Sequence, residues 1–144
     1  MGSVEYYSGP RCAPIRAVEG SSQTYDAGDL VDVGTDGLVV IATAGHIMGI
    51  ATKDATGTTS AVAEYEPIGY DTIYSAKYKA SATALSLVGD CLDFTFTVGA
   101  HTLNETSADT DVYCVALDPR DAVTTSGGRL LVKFYGTLAT APAT

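Results

Sequence analysis

Three short apolar runs between turn-forming residues, all within residues 27–51, restrict the fold of this chain more than any other feature. The runs are Leu30–Val33, Leu38–Ala42 and Ile47–Ala51. The tetrapeptide Gly-Thr-Asp-Gly separates the first two, and Ala-Gly-His precedes the third. Short runs rich in β-branched residues between glycine turns are typical of strands, because a helix needs a longer periodic segment. This part of the chain therefore predicts a β-meander.

Strand patterns continue through the rest of the chain. Leu92, Phe94, Phe96 and Val98 alternate with polar residues, as in a strand with one buried face. We predict about eight strands at roughly 8–15-residue spacing, the pattern of a sandwich or a small barrel. The strands predicted beyond the meander are Ala61–Tyr65, Tyr70–Tyr78, Leu92–Val98, Val112–Leu117 and Arg129–Tyr135. With 144 residues, the chain is long enough for one all-β domain with a sizeable core.

The two ends of the chain lack these patterns. Residues 1–24 have no regular period, and Pro10 and Pro14 interrupt any helix or central strand. We predict that this segment is an extended N-terminal arm and that residues 25–135 form the β body. Residues 136–144 are small and polar, and we expect them to form a short C-terminal arm.

The charge of the chain argues against two classes of partner. The formal net charge is −9 and the sequence pI is about 4.3. Such a chain repels the phosphate backbone of nucleic acids and anionic membrane surfaces. No apolar run approaches the length that a bilayer span requires. We therefore expect neither nucleic acid nor membrane as a partner.

The cysteines indicate where the protein folds. Cys12, Cys91 and Cys114 are odd in number and far apart, so they do not form a disulfide framework. Reduced, partly buried thiols in a protein made in the cytoplasm explain them more simply. Residues 1–7 include Glu5 and lack the apolar core of a signal peptide.

The carboxylates offer weak candidates for catalysis. Paired carboxylates occur at Glu64/Glu66, Asp109/Asp111 and Asp118/Asp121. Glu64 and Glu66 share one face of a predicted strand, an arrangement that acid–base catalysis can use. A solvated strand face next to Pro67 is the favoured explanation. Because the chain also lacks the Gly-x-Ser-x-Gly motif of hydrolases, we predict no catalytic set and no enzyme.

Metal and cofactor motifs are equally weak. His46 lies at a turn and His101 opens a polar loop, and neither stands at close paired spacing to a cysteine. Asp109-Thr110-Asp111 matches only a fragment of an EF-hand loop, which leaves weak calcium binding by the loops open. The chain carries no phosphate-binding or dinucleotide-binding glycine motif. We predict no metal site and no cofactor.

Tyrosines form the most distinctive side-chain pattern. Tyr70, Tyr74 and Tyr78 fall on one face of a predicted strand by the period of two. Cross-strand packing is the first explanation for such a row. An intersubunit surface is the alternative, since aromatic residues are enriched at interfaces.

The order of several motifs resembles a known family. An irregular N-terminal segment precedes Ala-Gly-Asp-Leu-Val-Asp-Val, and Gly-Ile-Ala then leads into the polar turn that ends at Gly57. Val-Gly-Asp at residues 88–90 and Val-Lys-Phe at residues 132–134 follow. This arrangement, over roughly residues 25–135, resembles the head-decoration, or cement, proteins of tailed bacteriophages. The resemblance implies a small β-barrel or a β-tulip-like sandwich with an N-terminal arm and a short C-terminal arm.

The resemblance also implies a function. It implies a structural protein made in the host cytoplasm and placed on the outer capsid surface of a virion, where arms and barrel edges cement neighbouring capsomers. Its partners would be the major capsid protein and further copies of itself, as a trimer in preference to a dimer. The candidate capsid or subunit contacts are Tyr6, Tyr7, Arg11, Ile15, Arg16, Tyr70, Tyr74, Tyr78, Tyr135 and Leu138.

Two alternatives remain open at this stage. The chain could be another virion component, such as a tail or head-fibre β module. It could also be a carbohydrate-binding module, with Tyr70, Tyr74, Tyr78 and Glu64 lining a groove.

Overall fold

The computed structural model describes residues 3–34, 36–43, 47–78, 85–97, 100–104, 111–120 and 128–134. Within these ranges the chain forms eleven β-strands and one turn of 3₁₀ helix, Leu85–Leu87. The strands are β1 (Val4–Ser8), β2 (Ile15–Glu19), β3 (Leu30–Val33), β4 (Leu38–Ile41), β5 (Gly49–Ala51), β6 (Val62–Pro67), β7 (Ile73–Lys77), β8 (Cys91–Thr95), β9 (Thr102–Asn104), β10 (Val112–Leu117) and β11 (Arg129–Phe134). The prediction of an all-β fold is confirmed.

Six strands form one antiparallel sheet in the order β1-β7-β11-β10-β8-β9. Tyr74, Ala76 and Tyr78 on β7 and just beyond it are buried, because alternate residues of a strand point to the same face. The ring of Phe134 lies 5.4 Å from that of Tyr74 and 5.9 Å from that of Phe94, measured between centroids. The inner face of this sheet is therefore an aromatic core.

The other five strands close into a barrel in the order β2-β4-β3-β5-β6. β2 completes the closure, since it pairs in parallel with β4 and antiparallel with β6. The interior of the barrel holds Tyr25, Val31, Val39, Ala51, Ala63 and Tyr65. A barrel of few strands encloses little space, and the two alanines leave room for the tyrosine rings.

The barrel also forms the second layer over the sheet. Leu30 and Ile50 lie opposite each other on β3 and β5 and point away from the barrel interior. Both belong to the large core of the sheet, whereas their neighbours Val31 and Ala51 belong to the barrel core. The wall formed by β3 and β5 therefore contributes alternate side chains to the barrel core and to the core of the sheet.

The N-terminal segment is the main correction to the sequence analysis. Within residues 1–24, β1 adds an edge strand to the sheet and β2 closes the barrel. Pro10 and Pro14 fall between these strands and interrupt neither hydrogen-bond ladder. The described part of the segment thus belongs to the body, because both halves of the fold depend on a strand from it. The C-terminal arm predicted at 136–144 lies outside the described residues.

A buried polar junction joins the sheet to the barrel. The Ser3 hydroxyl donates to Asp29 Oδ1 (3.1 Å) and accepts from the backbone N–H of His101 (3.0 Å). The His101 ring accepts at Nδ1 from the backbone N–H of Leu30, at 3.0 Å. His101 is fully buried, so it is an interior residue and not the exposed start of a loop. Its ring satisfies the first amide of β3.

We expect this junction to make stability depend on pH. Burial lowers the pKa of His101 below its ordinary value, and the nearby Asp29 carboxylate opposes this only in part. The unfolded chain takes up a proton near pH 6.5, whereas the folded chain keeps the ring neutral. The free energy of unfolding should therefore fall as the pH drops below that value. Urea titrations between about pH 8 and pH 5 measure this change.

The matched variant is His101→Asn, whose side-chain oxygen can still accept from the Leu30 amide but does not titrate. We expect a flatter pH profile for this variant. Identical slopes for the two proteins would contradict a role of the ring.

A second buried group, Glu19, holds the loop that follows β5. Its two carboxylate oxygens accept from the backbone N–H groups of Thr56 and Gly57, each at 2.8 Å. The Thr56 hydroxyl also lies 3.1 and 3.2 Å from these oxygens. Because Glu19 is fully buried at the end of β2, these bonds hold the loop against the barrel, and Ala55 of the loop packs on the barrel core.

Replacing Glu19 tests this contact. We expect Glu19→Ala to lower the free energy of unfolding by about 2–3 kcal/mol, because bonds from amides to a buried carboxylate are lost. Glu19→Gln keeps the size of the side chain and one acceptor, so its loss should be smaller. Equal losses in urea unfolding would show that the charge and second oxygen contribute nothing.

Candidate functional site

A closed polar network on the outer face of the six-stranded sheet involves Glu5, Ser75, Asp118, Arg120 and Arg129. Arg129 donates from Nε to the Ser75 hydroxyl (2.8 Å) and from Nη2 to the Ser75 carbonyl (2.7 Å). That hydroxyl donates to Asp118 Oδ2 at 2.6 Å. Arg120 joins Asp118 to Glu5, at 2.5 and 3.1 Å. Glu5 lies 3.9 Å from Arg129 Nε, which closes the network.

The charges of this network balance, with two carboxylates and two guanidinium groups. The side chains of Asp118 and Arg129 are 0% and 7% exposed, so each requires its partners to remain charged in the interior. Hydrogen bonds from Arg120 hold the pKa of Asp118 far below its ordinary value. Because β1, β7, β11 and the turn after β10 each contribute a member, the network fastens the N-terminal strand to the sheet.

A cleft of about 270 Å³ lies between β1 of the sheet and β5 and β6 of the barrel. Arg11 borders it and donates to both carboxylate oxygens of Glu66, at 2.5 and 3.3 Å. The Arg11 guanidinium also lies 4.3 Å from the centroid of the Tyr6 ring. These contacts tie the connection between β1 and β2 to the barrel. The acid and the base that border the cleft are therefore partners of each other.

Glu64, the other member of the carboxylate pair, lies on the outside of the barrel. The Thr52 hydroxyl donates to it at 2.7 Å, and Arg16 and Lys53 approach it at 3.5 and 4.0 Å. The hydrogen bond from Thr52 contributes most to lowering the pKa of Glu64. Glu64 and Glu66 share a face as predicted, but Glu66 pairs with Arg11, whereas Glu64 pairs with Arg16 and Lys53. The two carboxylates therefore do not face a common substrate.

The predicted contact residues of the N-terminal segment lie at the surface. Arg11, Ile15 and Arg16 are exposed, and Tyr6 and Tyr7 are half-buried. Tyr6 packs under Arg11, and Tyr7 lies 5.4 Å from the Arg120 guanidinium. They are spread over β1, β2 and the connection between them, and their role in an interface stays a prediction.

Tyr74 on β7 and Tyr78 just beyond it serve packing, which corrects their proposed use as a surface. Tyr74 and Tyr78 are 2% and 4% exposed, and Tyr70 is half-buried against the same core. The Tyr74 hydroxyl accepts from the backbone N–H of Gly69 at 2.9 Å, and burial raises its pKa. Since Glu64 lies on the barrel exterior, these side chains do not line a carbohydrate groove. Tyr135 and Leu138 fall outside the described residues.

The remaining candidates for chemistry do not converge where the structure describes them. Asp111 is buried and accepts from the Phe94 amide at 2.9 Å. The buried Cys114 thiol has its pKa raised by desolvation to about 11, and Cys12 and Cys91 are exposed and form no disulfide. His46, Asp109 and Asp121 lie outside the described residues.

Within the described ranges, no group of three or more histidine, cysteine, aspartate or glutamate side chains is arranged to hold a metal ion. Across the same residues, no helix has both the length and the apolar character of a membrane span.

Exposed apolar side chains are the surface feature that sequence reasoning did not single out. Val18, Val62, Leu85 and Val88 are 43%, 61%, 69% and 39% exposed. The signal for Val18 lies in the alternation of β2, which places it beside the charged Arg16 on the outward face. The exposure of Val18 was not predicted, because β2 falls within the segment predicted as an arm.

Removing the buried cation tests the polar network. We expect Arg129→Ala to cost about 2–4 kcal/mol of unfolding free energy, because the hydrogen bonds from a buried cation to Ser75 and to the Ser3 carbonyl are lost and these acceptors stay buried. Arg129→Lys should cost less, since it keeps the charge but not the forked geometry. The control is Arg16→Ala, a 75% exposed cation, for which about 1 kcal/mol or less is expected. Similar losses for the two alanine variants in urea unfolding would contradict the network's role.

Comparison with known proteins places the fold. No protein-family model and no curated protein sequence matches the chain. Among solved structures, the chain is similar to the N base of the head fibre gp8.5 of bacteriophage phi29, with a TM-score of 0.50 and 14% sequence identity. The match covers 85% of this chain and 95% of the other. At this identity the likeness establishes a shared fold: an all-β body of this kind also occurs as the base of a phage head fibre.

Proposed function

We propose that this chain is a structural protein of a phage virion that binds the outside of the head and cements neighbouring capsomers. The observation that carries the proposal is the likeness to the phi29 head-fibre base, which extends over nearly the whole of that chain. Fold likeness alone does not transfer a function, so the chemistry of the described residues must agree with it.

The chemistry agrees with a rigid binding body. Four carboxylates, Glu5, Glu64, Glu66 and Asp118, are engaged in ion pairs at the cleft, in the network or on the barrel exterior. The pairs of Arg11 with Glu66, Arg16 with Glu64 and Arg120 with Glu5 join elements distant in sequence and hold them in one arrangement. Such a body suits a protein that must keep the same shape at every copy of a repeating lattice.

The proposed partners follow from this role. The major capsid protein would be the main partner, and cyclic contacts between copies of this chain, as a trimer in preference to a dimer, would match the symmetry axes of a capsid. The chain would be made in the host cytoplasm, where its cysteines stay reduced, and would then reach the outer capsid surface. The acidic charge would keep it from the packaged genome.

A second candidate is the base of a head fibre, which the same structural likeness favours directly. The two functions share the capsid as partner but differ in what binding achieves. A cement protein strengthens the shell by bridging capsomers, whereas a fibre base only needs to hold an appendage.

Co-sedimentation with heads tests the proposal. Purified chain is mixed with expanded, DNA-free heads of the phage that encodes it, assembled without this protein, and centrifuged at low and high salt. We expect the chain to pellet with heads in a saturable manner. Failure to bind heads under any of these conditions would overturn both candidates.

The thermal stability of the heads distinguishes the two candidates. Cementing predicts that saturated heads rupture at a higher temperature than bare heads, measured by release of an encapsulated dye. Saturable binding with an unchanged rupture temperature would favour the fibre base and contradict cementing. An unrelated acidic β protein of similar size serves as the control for nonspecific pelleting.

A further inference from the structure

β1 is an edge strand of the six-stranded sheet, and its backbone groups face two sides. The Lys77 amide donates to the Ser3 carbonyl oxygen, so the backbone groups of Ser3 face β7. Because these directions alternate along an antiparallel strand, the N–H and C=O of Val4 and Tyr6 face away from β7. Among the described residues, no hydrogen-bond partner reaches the backbone N–H or C=O of Tyr6.

Gly28 occupies the next position along this edge and shows how wide the space beside β1 is. The Val4 amide donates to the Gly28 carbonyl oxygen at 3.1 Å, and the Gly28 amide donates to the Ala51 carbonyl oxygen at 2.8 Å. The backbone of one residue therefore bridges β1 and the barrel. Beyond Gly28 the Ala27 amide is bonded to Asp54 Oδ1, away from β1. The cleft of about 270 Å³ adjoins this bridge, so its walls are about one strand apart.

The charged residues that line the cleft are paired within the molecule. Arg11 donates to both carboxylate oxygens of Glu66. Glu5 is bonded to Arg120 on the outer face of the sheet. The other residues that line the cleft are uncharged. A neutral occupant therefore disturbs no ion pair, whereas a charged one has no free counterion in the lining.

We propose that the cleft binds one extended, uncharged polypeptide segment of a partner protein, which pairs with β1 at Tyr6. The Tyr6 amide donates to the carbonyl oxygen of one residue of the segment, and the Tyr6 carbonyl oxygen accepts from the amide of that same residue. A folded sheet of the partner does not fit, because β5 and residues 27–28 close the other side of the cleft. Peptide binding requires no capsid, so it stands or fails separately from the proposed function.

NMR titration of the ¹⁵N-labelled full chain with a synthetic peptide, acetyl-Thr-Val-Ala-Val-Thr-amide, tests the site. We expect a saturable shift of the Tyr6 amide resonance. At saturation the hydrogen exchange of this amide should slow by at least about tenfold, because it gains an acceptor. The Glu5 amide faces β7 and serves as the internal control, whose exchange should not change.

Two altered peptides separate main-chain pairing from nonspecific contact. Methylation of the three central peptide nitrogens removes the donors for the Tyr6 carbonyl oxygen in every register. Binding should then weaken by at least about tenfold. A peptide with aspartate at its centre should also bind at least about tenfold more weakly, since its charge lacks a counterion.

A pair of protein variants tests the location. Ala27 is exposed and lines the cleft. Ala27→Trp fills the cleft and should abolish the shift, whereas Ala27→Ser keeps it open and should bind like the unaltered protein. Circular dichroism confirms that both variants are folded.

The absence of a saturable Tyr6 shift at millimolar peptide would overturn the inference. So would equal binding of the methylated peptide or of the Ala27→Trp variant. A Tyr6 amide that exchanges slowly without peptide would also contradict it, because the chain itself would then close the cleft.

Discussion

The arrangement of the whole molecule depends on the buried polar contacts of Ser3. Its hydroxyl joins Asp29 of the barrel to the His101 amide of the sheet, and its carbonyl oxygen accepts from Arg129 and from the Lys77 amide. Each of these groups would be costly to bury without a partner. A residue two positions from the start of the chain therefore sets how the sheet, the barrel and the charged network meet.

This anchoring explains why the N-terminal segment is structural. The network around Arg129 and Asp118 holds β1 on the sheet, and the Arg11–Glu66 pair holds the following connection against the barrel. β2 can then close the barrel with strands from later in the sequence. The ionisable groups that suggested chemistry in isolation are the groups that join distant strands. Their charges neutralise one another within the fold. Recognition of a partner therefore depends on other residues, at the surface.

The exterior divides into surfaces of different character. The sheet core covers the barrel wall on β3 and β5. The wall on β6, β2 and β4 exposes an apolar row next to Arg16 and Lys53. The turn before β8 has an apolar centre beside Asp90.

The sequence by itself determined the strand class and the core-facing residues of the clearest strands. Period-two alternation predicted that Tyr74 and Tyr78 share a face and that Leu92 and Phe94 do, and these four side chains are buried. Alternation is a local property and is visible without a partner strand. It did not reveal β1 and β2, because a short strand next to a proline-containing connection has no period long enough to detect. Only the tertiary structure decided that these strands complete two sheets, that His101 is interior and that Val18 is exposed. Each of those outcomes depends on pairing between residues far apart in the chain, which no local pattern encodes.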